Sequence, residues 1–247
     1  MDTLEHYELL NPTNGLVSCR ITSTTPSSIL EDALALTANI FPTEPGARDR
    51  LKAVYEALSR NESVVEDFAP IHYCAYAMPQ EGALKVVGIS GFYRLRTLDA
   101  DARAMGAAVL SFLARRVFED GLTERASGAV KEMLPSLLWG GRMGISPLVS
   151  RSPAVSPFIY DHIFSTALST IEHSALPPVM LIFTRRDDNR AVQRLYKNMG
   201  FMDTGAKVNY LDHTQSVLAL HLHKEAPVLY VLRKLKQRAL LRASDNA

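Results

Sequence analysis

Short alternating apolar runs and longer stretches of helical spacing succeed one another along this chain. Residues 16–24 alternate as a strand, and Pro26-Ser27-Ser28 opens a helix to Ile40 with Ile29, Ala33, Leu36 and Ile40 on one face. Two prolines within 41–46 break it. A second helix over 48–58 presents Leu51, Val54, Tyr55 and Leu58. Residues 72–78 and 84–95 predict two strands joined as a hairpin through Pro79-Gln80-Glu81-Gly82. Residues 98–136 read as two helices, marked by Met105, Val109, Phe112 and Leu113 and then by Val130, Met133 and Leu134. A strand over 139–149 and a loop over 150–156 follow. The helix over 157–173 starts at Pro157 and carries Tyr160, Ile163, Phe164, Ala167, Leu168 and Ile171. Residues 179–184, 201–211, 216–223 and 228–232 are the remaining strands.

Between two of these strands lies the stretch with most chemical content, Asp187-Asp188-Asn189-Arg190-Ala191-Val192-Gln193-Arg194-Leu195-Tyr196-Lys197-Asn198-Met199-Gly200-Phe201. Asp187 or Asp188 can cap a helix start. Val192, Leu195, Tyr196 and Met199 share one face. Gly200 suits the left-handed residue that closes a helix, and Phe201 can fold back on the last turn. Asn189 and Tyr196 stand two turns apart, about 10 Å, so an amide and a phenol meet one ligand at two points.

This stretch resembles the GNAT superfamily of acyl-coenzyme A-dependent N-acyltransferases, whose motif reads N-x-x-A-x-x-L-Y-x-x-x-G-F. Asn189, Leu195, Tyr196, Gly200 and Phe201 fit it, and Ala191 sits one place early. The order of predicted elements over 16–232 is also similar, apart from the helical insertion at 98–136. The resemblance implies an α+β fold, a three-layer α/β/α sandwich with a mixed, mostly antiparallel sheet, as a single domain over 1–247. It implies two parallel central strands, 139–149 and 179–184, that splay to admit the pantetheine arm. Pro147, lacking an N–H, marks either that splay or the strand's end.

The same resemblance implies acetyl-coenzyme A or another acyl-coenzyme A as cosubstrate and an unidentified primary amine as acceptor. Gly144, Ile145, Ser146, Leu148 and Val149 would line the arm, with backbone N–H groups near Gly144 and Ile145 meeting the thioester oxygen. The pyrophosphate would sit at the next helix start, on Arg151, Ser152, Ala154, Val155 and Ser156. Here the family's small pair becomes Ala154 and Ser156, and Pro153 removes a donor. Asn189 would bond the coenzyme arm or cap its helix; Tyr196 would protonate the leaving thiolate or serve as a core aromatic. No acid occupies 139–149, so His72 is the first candidate for the base that neutralises the amine, ahead of Tyr93 and Asp161. The alternative is a GNAT-shaped module that binds acyl-coenzyme A without chemistry.

Composition narrows the class further. The 27 basic and 26 acidic residues leave a net charge of +1, so no bulk field favours nucleic acid or a membrane surface. No run of about 18 apolar residues predicts a membrane span, and the first residues lack a signal-peptide pattern. Two cysteines fit reduced core residues and a cytoplasmic location. His213, His221 and His223 find no fourth ligand at a sensible spacing, so no metal is expected. The basic tail over 233–247 reads as solvated in preference to an RNA contact, and a homodimer is left open. The insertion at 98–136 either shapes acceptor specificity or only docks on the domain.

Overall fold

The computed structural model describes residues 7–40, 47–60, 68–95, 109, 137–140, 144–174, 178–185, 190–210 and 213–244. The chain divides into two compact units: Met1–Phe92, Gly141–Thr166 and Leu229–Ala247 form the first, Tyr93–Gly140 and Ala167–Val228 the second. The fold class is α+β with a mixed, mostly antiparallel sheet, in which residues 138–139 pair in parallel with 180–181.

In the first unit, β1 (Tyr7–Asn11) pairs antiparallel with β2 (Leu16–Arg20), and β2 with β3 (Phe68–Gln80). β3 returns as β4 (Ala83–Leu95) through Glu81 and Gly82, both with positive φ (50° and 83°). Two left-handed residues in a two-residue loop match the right-handed twist of the flanking strands, as the hairpin signal predicts. The helices α1 (Ser27–Ile40) and α2 (Ala47–Ser59) cover one face of these strands. Val17, Cys19 and Ile21 from the β2 side and Tyr73, Ala75 and Ala77 from β3 meet Ile29, Ala33, Leu51, Val54 and Tyr55 there. Each removes apolar surface from water at about 25 cal/mol per Å², which makes this cluster the unit's main source of stability. β1, whose Tyr-Glu-Leu-Leu-Asn lacks clean alternation, was not expected from the sequence.

The second unit is built on β7 (Val179–Arg185), whose Val179, Met180, Leu181 and Ile182 are fully buried. It lies parallel to β5 (Leu138–Gly140) and antiparallel to β9 (His213–His221), which pairs with β8 (Met202–Tyr210). Trp139 stacks on Phe183 with ring centroids 4.9 Å apart. The helix α5 (Arg190–Asn198) follows β7.

Two expectations are corrected. The single strand over 139–149 is three elements: β5, a separate β6 (Gly144–Ile145) and a one-turn helix α3 (Pro147–Ser150). Pro147 is the cause, because it takes the first helical position, where its fixed φ fits and its missing N–H costs nothing. The strand over 228–232 is instead the start of α6 (Pro227–Ser244), which also holds most of the basic tail. Val228, Leu229 and Leu232 are buried while Tyr230 and Val231 are exposed, the spacing of one helix face and not of a strand. The α4 helix (Ser156–His173) forms as expected, burying Ile163, Phe164, Ala167 and Ile171. The predicted helices at 98–136 lie outside the described residues apart from Val109, which is buried. No described helix is long and apolar enough to cross a membrane.

Gly91 on β4 shows how tightly the hairpin closes. A Cβ there would lie 2.2 Å from Cε1 of Tyr73, itself buried in the core. Gly91→Ala should therefore destabilise by about 1–3 kcal/mol in urea unfolding, as overpacking does, and Tyr73→Leu in the same chain should recover part of the loss.

Candidate functional site

The residues expected along a coenzyme arm begin on β6. Its ladder partner among the described residues is β4, with Gly88 opposite Ile145 and Ile89 opposite Gly144. Ser146 donates its N–H to Val87 O at 2.8 Å. In an antiparallel ladder, pairs that exchange hydrogen bonds alternate with pairs that do not. The Ser146 bond therefore assigns the Ile145–Gly88 pair to the non-bonded kind, and the Ile145 N–H and C=O point away from β4. Gly144 is required by packing, since a Cβ there would sit 2.9 Å from Ile40 Cδ1. On α3, Val149 is buried while Leu148 is 86% exposed.

The predicted pyrophosphate segment is a tight turn leading into α4. The Ser152 carbonyl accepts the N–H of Val155 (3.2 Å), the N–H of Ser156 (3.0 Å) and Ser156 Oγ (3.0 Å). Two N–H groups expected to face an anion thus already donate within the turn, and Pro153 and Pro157 carry none. The Ala154 carbonyl is held by Asn11 Nδ2 at 2.9 Å and Asn14 Nδ2 at 3.3 Å, which ties the turn to the β1–β2 connection. Arg151, exposed beside it, and the side chain of Ser152 are polar groups this stretch offers.

In the second unit, α5 closes as its sequence predicts. Gly200 (φ 92°) donates to Lys197 O at 3.0 Å and Phe201 N–H donates to Tyr196 O at 3.0 Å. These are the two bonds of a Schellman cap, and the edge-on contact of Tyr196 with Phe201, 5.4 Å between centroids, is its accompanying hydrophobic contact. The Tyr-x-x-x-Gly-Phe part of the motif thus has a complete helix-capping role. Tyr196 is half-buried. Asp187, Asp188 and Asn189 lie outside the described residues.

The richest chemistry stands on the face of β1–β3 opposite the apolar core. Side chains alternate along strands, so the residues between the core positions point the other way: Ser18 and Arg20 on β2, and His72, Cys74 and Tyr76 on β3. The register sets Glu8 opposite Ser18, Ser18 opposite Tyr76, and Arg20 opposite Cys74. His162 of α4 lies over this face, its side chain 13% exposed. Its Nδ1 meets the hydroxyl of the fully buried Tyr76 at 3.1 Å, and Tyr76 meets Ser90 Oγ at 2.9 Å. The other nitrogen, Nε2, lies 3.3 Å from both Glu8 Oε2 and Ser18 Oγ. A cavity of about 260 Å³ opens here, lined by Tyr7, Glu8, Ser18, Arg20, His72, Cys74 and His162.

Burial favours the neutral forms of His72, Cys74 and His162. His72, the expected base, has its pKa lowered to about 4, first by burial and then by Arg20 and His162. Its Nε2 lies 3.0 Å from Cys74 Sγ, whose pKa burial pushes up to about 12. A thiol and a neutral imidazole at that distance form a hydrogen bond and not an ion pair, so Cys74 is no thiolate nucleophile. Burial also lowers His162, against the opposing pull of Glu8 and Asp161, and Lys236 adds to the lowering. Asp161, a weaker candidate base, is held by Lys236 Nζ at 2.6 Å. Among the described residues, no group of three His, Cys, Asp or Glu is placed to hold a metal.

Gly144, Ile145, Ser146, Leu148, Val149, Arg151, Ser152, Ala154, Val155, Ser156 and His72 fall in the first unit, and Tyr196 in the second. Sequence reasoning missed Glu8, Ser18, Arg20, Tyr76 and His162. One signal was available: His162 sits four residues after Phe158 and next to Ile163, on the side of α4 that is otherwise apolar.

No protein-family model matches the sequence, and no curated protein matches it. Among solved structures, the chain is similar to the acyl-homoserine lactone synthase BjaI with SAM and isopentyl-CoA, at 12% identity and TM-score 0.49 over 91% of this chain and 97% of that one. It is also similar to a GCN5-related N-acetyltransferase from Brucella melitensis, at 11% identity and TM-score 0.47 over 92% and 82%. The synthase LasI matches at 11% identity and TM-score 0.46 over 87% and 94%. At such identities the likeness carries over to no individual residue.

His72 makes a pH-dependent contribution to stability with a definite sign. Its folded pKa lies below its usual 6.5, so the unfolded chain binds the proton more tightly. The contribution is complete above about pH 6.5 and is lost as pH falls through about 4. Denaturant unfolding at pH 7 and pH 4.5 should show His72→Gln losing less stability on acidification than the parent, by up to about 3 kcal/mol.

Proposed function

We propose that this chain is an acyl-coenzyme A-dependent N-acyltransferase that moves an acyl group, acetyl in the first instance, to a primary amine. The observation that carries the reading is the open edge of β6. Ile145 turns its N–H and C=O away from β4, its one ladder partner among the described residues. An extended arm bearing amides would complete that edge as a strand does, by main-chain hydrogen bonds. The Asn189–Tyr196 motif supports the same reading, with Tyr196 as the acid that protonates the departing thiolate.

The chemistry asks little of the protein beyond placement and proton handling. Donors near the thioester oxygen stabilise the charge that develops on it, and the Ile145 N–H, turned away from β4, is the donor we assign to that role. One observation favours the second reading, a binder without catalysis: the Val155 and Ser156 N–H groups are already used within their turn.

Calorimetric titration with acetyl-coenzyme A tests both readings, and the absence of binding heat overturns both. Release of free thiol with a panel of amines then separates enzyme from binder. Tyr196→Phe should lower turnover by about 10²-fold, the lower range for a lost general acid, with coenzyme binding retained. The ring contact with Phe201 survives that change, so unchanged turnover removes Tyr196 from the mechanism.

A further inference from the structure

The proposed reaction needs a route for the acceptor's proton, and the expected strand supplies no acid. The polar face of β1–β3 contains a continuous hydrogen-bonded chain instead. It starts at Ser90 on β4, which is 1% exposed and adjoins Ile89, the residue paired with Gly144 of β6. From Ser90 Oγ it runs 2.9 Å to the Tyr76 hydroxyl, 3.1 Å to His162 Nδ1, and across the ring to Nε2, 3.3 Å from Glu8 Oε2. Its inner end is thus one strand from β6, and its outer end is a carboxylate 69% exposed to solvent.

Resting on the acyltransferase reading, we propose that Ser90, Tyr76, His162 and Glu8 form a relay that carries the proton of a primary ammonium acceptor from the buried side of β4 to solvent. Two groups face Nε2 at 3.3 Å, the Glu8 carboxylate and the Ser18 hydroxyl, and the donor order we propose is the one in which both accept from it. A carboxylate only accepts, so Nε2 of the neutral ring carries the hydrogen and Nδ1 presents its lone pair. Nδ1 then accepts from Tyr76 O–H, and Tyr76 accepts from Ser90 O–H. In that order every hydroxyl donates outward along the path. In transfer, an ammonium N–H gives its proton to Ser90 Oγ while the hydroxyl protons shift one place each and Nε2–H passes to Glu8 or water. The amine lone pair then forms the C–N bond, the C–S bond breaks, and the second nitrogen proton balances the thiolate as a thiol.

The environment of His162 favours this role. Burial keeps the ring neutral and able to accept. Glu8 on β1 and Asp161 on α4 pull toward the charged form, and Lys236 on α6 opposes them. Arg20 on β2 and His72 on β3 line the same cavity. The bland alternative is that the hydroxyls and ring only satisfy one another, since buried polar groups are expected to be paired. That alternative predicts the same His162 tautomer but no effect confined to ammonium acceptors.

Two measurements test the relay. The first is the His162 tautomer, read by ¹⁵N NMR of histidine-labelled protein at neutral pH. The Nε2–H form is expected, and a dominant Nδ1–H form overturns the relay whatever the protein acylates. The second compares the parent with Tyr76→Phe and His162→Gln, using acetyl-coenzyme A with benzylamine, spermidine, L-lysine and aniline. Both variants should lose about 10²-fold in kcat/KM on the ammonium acceptors, with the loss shrinking as pH rises, and little on aniline, which is already neutral. Equal losses on all acceptors, or none, overturn the relay while leaving the transferase standing. A parent that neither binds acetyl-coenzyme A nor releases thiol overturns the transferase reading, and the relay with it.

Discussion

The strict alternation of side chains on β2 and β3 is the constraint from which both stability and chemistry follow. One set, Val17, Cys19, Tyr73, Ala75 and Ala77, enters the core under α1 and α2. The interleaved set, Ser18, Arg20, His72, Cys74 and Tyr76, is thereby committed to the other face. A one-residue slip in register would exchange the two sets and bury the Arg20 guanidinium in the place of Cys19 or Ile21. The apolar packing thus fixes the orientation of the polar groups with no contribution from their own hydrogen bonds. The polar face is positioned by a core it does not touch.

Much of the architecture was readable from the periodicity. The helices at 27–40, 48–58 and 157–173, the β3–β4 hairpin and β7 all stand within a few residues of their predicted bounds. Errors arose where local chemistry overrode pattern. At Pro147 a proline that reads as a strand feature is equally a first helical residue, and the structure uses it so. At 228–232 five residues containing valine and leucine mimic a buried strand, and only their exposure shows the helical face. Among five residues, periods of 2 and 3.6 are hard to distinguish.

The candidate site was less legible, for a different reason. Its members come from β1, β2, β3, β4 and α4, and no two of Glu8, Ser18, Tyr76 and His162 are close in sequence. Only the cross-strand register unites them, and a single sequence does not display register. The Asn189–Tyr196 stretch, by contrast, was conspicuous because it is local. Part of what makes it conspicuous is the Schellman closure at Gly200, which any helix ending beside an aromatic pair can use. The local signal overlaps with ordinary helix termination; the dispersed one was silent until the chain was folded.

The place of β1 at the sheet margin has a consequence of its own. Glu8 sits on a strand with one ladder partner among the described strands, and that ladder is irregular between Leu9 and Asn11. Marginal strands loosen at far lower free energy than the interior they border. Loosening of this one would withdraw the carboxylate from His162 while Tyr76 and Ser90 stayed locked in place. Two deeply buried polar groups, Tyr76 and Ser90, therefore communicate with bulk water through an edge strand.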